Sequence, residues 1–228
     1  MNKIKYLAAV LIGIAGLGLQ QAKADSVTYV LGSGNTAIAG FPGPYVQLVV
    51  TLNGPNSATL TYTSLSNGTN TYLMGDGGTV AANVNATSFS VVGGTGGVTL
   101  ANSGTGFTTG PVTGFTSGTE DGFGNMNLQV NLFDGFTHSA TSVSFTLTNL
   151  SGSWGSALDV LTNNNLGLLA GAHIFVTTNV GGVNASNGAL ATGFAANGGA
   201  GAPDGGTTVM LLGMALGVLG MARRFVMG

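Results

Sequence analysis

The sequence predicts an all-β protein built around an antiparallel β-sandwich of jelly-roll-like layout, with an apolar segment at each end of the chain. Three observations carry that prediction. Between Ser26 and about Thr178, apolar residues alternate with hydroxyl and amide residues at period two, as in strands with one buried face. No amphipathic stretch of helical period separates these segments, which disfavours a parallel α/β sheet. Asn-Gly, Asp-Gly and Gly-Gly pairs punctuate them, and these residues accept the positive φ that tight hairpins need.

The first element lies outside the sandwich. Lys3 and Lys5 precede an apolar run from Leu7 to Leu19, and Ala22-Lys23-Ala24 gives a small-x-small pattern before Asp25. The run is short for a membrane span and ends at once in Gln20 and Gln21. Residues 1–24 therefore read as a secretory signal-peptide helix for the Sec export machinery, cleaved after Ala24 with Ala22 and Ala24 as the small residues of the site. The mature chain is then expected to start near Asp25, outside the cytoplasm.

The passenger domain spans residues 25–180. Its clearest strand is Ser142–Thr148, where Val143, Phe145 and Leu147 share one face and hydroxyls the other. Thr59–Thr63 repeats the scheme. Further strands are expected at Val27–Leu31, Tyr45–Leu52, Thr79–Val84, Ser88–Val92, Val98–Ala101, Asn127–Phe133, Ala157–Leu161 and Ile174–Thr177. No fixed short repeat is present, so a β-helix solenoid is the weaker architecture. Trp154, several Phe and many Val and Leu supply a core. Residues 181–201, rich in Gly, Ala and Asn, are expected to be a flexible linker.

Charge is placed unevenly. Only 5% of residues are charged, against about 25% in a typical soluble protein. All five basic residues sit at the ends: Lys3, Lys5, Lys23, Arg223 and Arg224. Between Asp25 and Pro203 there are six acids (Asp25, Asp76, Glu120, Asp121, Asp134 and Asp159) and no Lys or Arg, hence a charge of −6. Nucleic-acid binding is excluded, because neutralising phosphates needs Lys and Arg. A phosphate-binding lysine or arginine clamp in the middle is excluded too. With no Cys there is no disulfide framework, thiol nucleophile or thiolate metal site.

The C-terminal segment, residues 202–228, combines three features. Ala202-Pro203-Asp204-Gly205-Gly206 precedes an apolar run from Val209 to Ala222, which Arg223 and Arg224 close. The run is apolar on every helical face, so it reads as a single transmembrane helix rather than a packed helix of the domain. The two arginines fit the positive-inside rule as a stop-transfer signal. Pro203 blocks helix extension and Gly205-Gly206 keep the backbone accessible to a protease.

In this order the tail resembles a bacterial PEP-CTERM-type sorting signal, closest to the VPDSG-CTERM variant, with Ala202 in place of Val and Gly205 in place of Ser. The resemblance implies recognition by an exosortase, a membrane-embedded protease cutting near the motif. It also implies a bacterial surface protein, membrane-anchored until processed, in the company of exopolysaccharide. The stretch from Ser142 to Phe175, ending in Ala172-His173-Ile174-Phe175, is similar to the last strands of many PEP-CTERM passenger domains, a class without an agreed molecular function.

Catalytic patterns are weak. Glu120 and Asp121 are adjacent and would point to opposite sides of a strand, while Asp76, Asp121 and Asp134 sit in Asp-Gly turn pairs. His138 and His173 are the only candidate bases and no Gly-x-Ser-x-Gly elbow exists. Gly32-Ser33-Gly34-Asn35-Thr36-Ala37 matches a dinucleotide fingerprint, but Gly40, Pro42 and Pro44 leave no room for its helix, so it reads as a loop. The protein is therefore expected not to be an enzyme and to need no cofactor. The one metal candidate is calcium: Glu120, Asp121, Asn125, Asn127 and Asp134 are the densest oxygen cluster, and without basic partners each acid must be solvated or hold a cation. Against this stands the simpler reading of exposed turn acids. Uncharged hydroxyl faces beside Tyr62, Tyr72 or Trp154 suggest a carbohydrate-binding module, Ca²⁺-dependent or not, as the alternative function. Flat Thr-x-Thr arrays suggest ordered water, and a secreted hydrolase is the remoter alternative.

Overall fold

A computed structural model describes residues 25–75, 77–101, 109–132, 138–178 and 189–197. These contain fifteen strands and three short 3-10 turns, with no α-helix among the described residues. In chain order the strands are β1 (Asp25–Leu31), β2 (Ser33–Gly34), β3 (Val46–Gly54), β4 (Ser57–Ser64), β5 (Ser66–Asn67), β6 (Asn70–Gly75), β7 (Val80–Ala82) and β8 (Phe89–Val91). They continue as β9 (Thr99–Ala101), β10 (Val112–Glu120), β11 (Gly124–Leu132), β12 (Ser139–Ala140), β13 (Ser142–Asn149), β14 (Ala170–Thr177) and β15 (Ala191–Asn197). They pair antiparallel in two sheets.

The first sheet has six strands in the order β1-β3-β4-β13-β8, with β9 also on β13. Its period-two sequences fold as expected. On β4, Ala58, Leu60 and Tyr62 are buried while Thr59, Thr61 and Thr63 face outward. On β13, Val143, Phe145 and Leu147 point inward and Ser144 and Thr146 outward. The register aligns like with like: Thr59 faces Thr146 and Thr61 faces Ser144, and each pair shares a hydrogen bond of 2.9 Å.

The second sheet has nine strands, β10-β11-β7-β14-β15-β2, with β6 beside β14 and β5 and β12 on β6. Its central strand β14 is buried at all eight positions. Ala170, Ala172, Ile174 and Val176 enter the core shared with the first sheet. On the opposite face Phe175 joins Leu73 in a separate small cluster, and His173 stacks on Phe194 with ring centroids 4.5 Å apart. The two sheets meet in a single large core to which β1, β3, β4 and β13 contribute from one side and β7, β11, β14 and β15 from the other. The buried Tyr62 hydroxyl crosses it, donating to the Ala81 carbonyl of β7 at 2.9 Å.

Three expectations need correction. Ala157–Leu161 is not a strand: Ala157–Asp159 is a 3-10 turn, and Leu161 makes only an isolated bridge to Val84. The distant Asp25 carboxylate accepts the Ala157 N–H at 2.6 Å and Ser156 Oγ donates to the Asp159 side chain at 2.9 Å, and these bonds hold the turn where alternation is weak. The presumed linker contains β15, which pairs with β14 over seven positions. Its Ala and Gly residues permit close packing where bulk would not fit; an added Cβ at Gly193 would lie 2.5 Å from Asn35 Oδ1. The fingerprint-like loop holds β2 and a 3-10 turn at Thr36–Ile38. β6 and β10 also form strands without a clear alternating signal. The signal-peptide helix, the transmembrane helix, residues 198–202 and Asp76 lie outside the described residues.

Candidate functional site

The four proposed calcium ligands among the described residues, Glu120, Asp121, Asn125 and Asn127, have separate surroundings. Glu120 ends β10 and is fully buried. Asp121 occupies the exposed turn to β11 and accepts from Asn35 Nδ2 at 3.2 Å. Asn125 Oδ1 accepts a hydrogen bond from the Thr119 hydroxyl. Asn127 is bound on both sides to Val84: its Oδ1 accepts the N–H at 2.7 Å and its Nδ2 donates to the carbonyl at 2.8 Å. Asp134 lies outside the described residues. Among the described residues, no three His, Asp or Glu side chains approach closely enough to hold a metal ion.

Among the described residues, Glu120 is the acid with an unusual environment. Gln129 Nε2 donates to its Oε1 at 2.8 Å, while Oε2 is buried without a hydrogen-bond partner. Gly171 of β14 makes room for it, since a Cβ there would sit 3.0 Å from Glu120 Cγ. Gly78, at φ +81°, is likewise close against Gln129. Burial raises the carboxyl pKa more than the Gln129 bond lowers it, and the value is pushed up to about 7. The sequence-based choice between solvation and a cation therefore omitted a third outcome: this acid can be buried and neutral. Tyr62, whose phenol is pushed upward by its own burial and by Glu120, stays protonated below it.

Aromatic residues sort differently from expectation. Tyr62, Tyr72 and Trp154 are core residues and present no ring to a sugar. Their polar ends are anchored: Tyr72 Oη donates to the Pro42 carbonyl at 2.6 Å, and Trp154 Nε1 to that of Asn85 at 2.9 Å. Of the histidines, His173 is buried against Phe175 and Phe194, and His138 is half-buried beside Gly110. The hydroxyl stripes do reach the surface, as the outer face of the six-stranded sheet.

The described residues also hold a groove of about 410 Å³ that sequence reasoning missed. Phe89 and Val91 of β8 line it from one sheet; Phe115, Thr116 and Ser117 of β10, with Asn127 and Leu128 of β11, line it from the other. A β-bulge shapes its wall. Thr116 pairs with Gln129 but Gly118 pairs with Met126, so the two residues Asn127 and Leu128 oppose the single Ser117. No alternating pattern marks β10, whose two glycines and hydroxyl residues leave both faces partly exposed.

The remaining candidates, Ala22 and Ala24 of the cleavage site, Ala202, Pro203, Asp204, Gly205 and Gly206 of the motif, and Arg223 and Arg224, lie outside the described residues. The family model of the VPDSG-CTERM motif, a PEP-CTERM-type exosortase sorting signal variant, matches residues 203–224. This signal implies export, targeting to the cell surface and processing by an exosortase-type system. No curated protein and no solved structure matches the chain.

Proposed function

We propose that this chain is a non-enzymatic bacterial surface or matrix protein: a β-sandwich passenger exported by the Sec machinery and held by its C-terminal helix until an exosortase-type protease processes the tail. The carrying observation is the sorting-signal match at residues 203–224, placed just beyond the last strand of the domain, which ends at Asn197. In this reading Pro203, Asp204 and Gly205 are recognised, Val209–Ala222 span the membrane, and Arg223-Arg224 stop transfer. Exopolysaccharide is the surrounding material. Support for a non-enzymatic passenger comes from its four described acids: Glu120 is buried, and Asp25, Asp121 and Asp159 accept separate hydrogen bonds.

Truncation after Gly201 tests the reading. The shortened protein is expected in the culture medium, while the full-length chain stays with the cells, as followed by immunoblotting of both fractions. Equal retention of the two forms would show that the tail does not anchor the protein.

A further inference from the structure

The groove lies where the two sheets part company. β8 is an outermost strand of the six-stranded sheet and β10 an outermost strand of the nine-stranded one. Phe89 and Phe115, one from each sheet, pack against the core yet remain partly exposed on the groove side. Each therefore offers an immobilised apolar ring without being a core residue, as Tyr62, Tyr72 and Trp154 are.

The polar groups around the rings are uncharged, and one of them, Asn127, is pre-set. Asn127 is fixed by its two bonds to Val84, at 2.7 and 2.8 Å. An amide oxygen has two lone pairs and an amide nitrogen two protons, so Asn127 keeps one acceptor and one donor site for a ligand. Ser90 and Ser117 add exposed hydroxyls at the rim. The volume of about 410 Å³ falls in the range of small-molecule sites, roughly 300–1,000 Å³.

These features select a ligand chemistry. No charged side chain lines the groove, and residues 26–202 contain no Lys or Arg, so an anionic ligand has no counter-charge. A peptide adding as a β-strand needs a long regular edge. Here β8 has three residues, and register breaks interrupt β10 at Val112/Gly114 and at Thr116/Gly118. What remains is a molecule with an apolar face for the rings and adjacent hydroxyls for the amide and serines. We propose that this groove binds a neutral sugar unit of a glycan chain, with Phe89 and Phe115 against its C–H face and Asn127 and Ser117 on its hydroxyls. The proposal rests on the surface-protein reading only for where the glycan is met.

Isothermal titration of the full-length chain in mild detergent tests it. The probes are short neutral oligomers of β-glucan, mannan and xylan, with polygalacturonate as the anionic comparison. At least one neutral oligomer is expected to bind, and Phe115→Ala to weaken it about tenfold or more, as for a buried aromatic contact. Phe115→Tyr should retain binding. Ser117→Glu, at an exposed position, should abolish it without disturbing the core, which covers the case in which Phe115→Ala unfolds. Absence of binding by all three neutral oligomers, equal binding by polygalacturonate, or undiminished binding in Ser117→Glu would overturn the proposal. None of these outcomes depends on tail processing, so the truncation experiment fails or succeeds separately.

Discussion

The two sheets share one core but treat their second faces in opposite ways. In the six-stranded sheet the outer face consists largely of hydroxyls, with Thr59 against Thr146 and Thr61 against Ser144. In the nine-stranded sheet the outer face is itself buried around β14, with Phe175 and Leu73 fully enclosed, His173 on Phe194, and Glu120 beneath no solvent at all. Water on one side enforces period two, whereas enclosure on both sides removes the reason for a polar residue at every second position. The contrast also separates two ways of carrying few charges. One sheet solvates itself through neutral hydroxyls, and the other confines an acid whose charged form burial disfavours.

The sharpest test sets outer-face positions of the two sheets against each other. Phe175→Ala removes a fully buried ring from the outer face of β14 and is expected to lower unfolding stability by about 3–5 kcal/mol in urea titration. A loss below about 1 kcal/mol would mean that this face is solvated like its counterpart and would erase the comparison.

The second test concerns Glu120. Its folded-state pKa of about 7 lies above the ordinary value of 4.5, so the folded protein holds a proton that the unfolded chain releases. Stability is then full below about pH 4.5 and declines as pH rises through about 7. The shift corresponds to about 3 kcal/mol. Glu120→Gln should remove that decline and leave the variant the more stable protein at pH 8, measured by denaturant unfolding at several pH values. Parallel pH profiles for the two proteins would show that the carboxyl is solvated. The smallest expected effect is on the hydroxyl face: Thr61→Val should change stability by no more than about 0.5 kcal/mol, since Ser144 can take water in place of its partner.

The same contrast explains what could be read in the chain. β1, β3, β4 and β13 were legible because each has one wet face and one dry face. β6, with the run Tyr72-Leu73-Met74 buried throughout, shows no alternation. β15 has only small residues around Phe194 and resembles a linker by composition, although it completes the buried sheet. β10 is hidden for another reason: as an outermost strand broken by a bulge, it has little core to specify. The groove inherits that obscurity, since Phe115, Ser117 and Asn127 meet only through β10 and the bulge.

By itself, the sequence determined the all-β class, the absence of any basic residue between the two ends, and the order of motif, apolar run and arginines that matches a sorting signal. Those properties are local or compositional, so no knowledge of neighbours is needed to see them. Tertiary structure alone decided that Glu120 is buried over Gly171, that Tyr62 and Trp154 serve the core, and that Phe89 and Phe115 face one groove. Each of these depends on contacts between distant segments, as in the bond from Trp154 to Asn85, 69 residues away. Burial is a property of the packed neighbourhood, and alternation reports it only where one side of a strand still meets water.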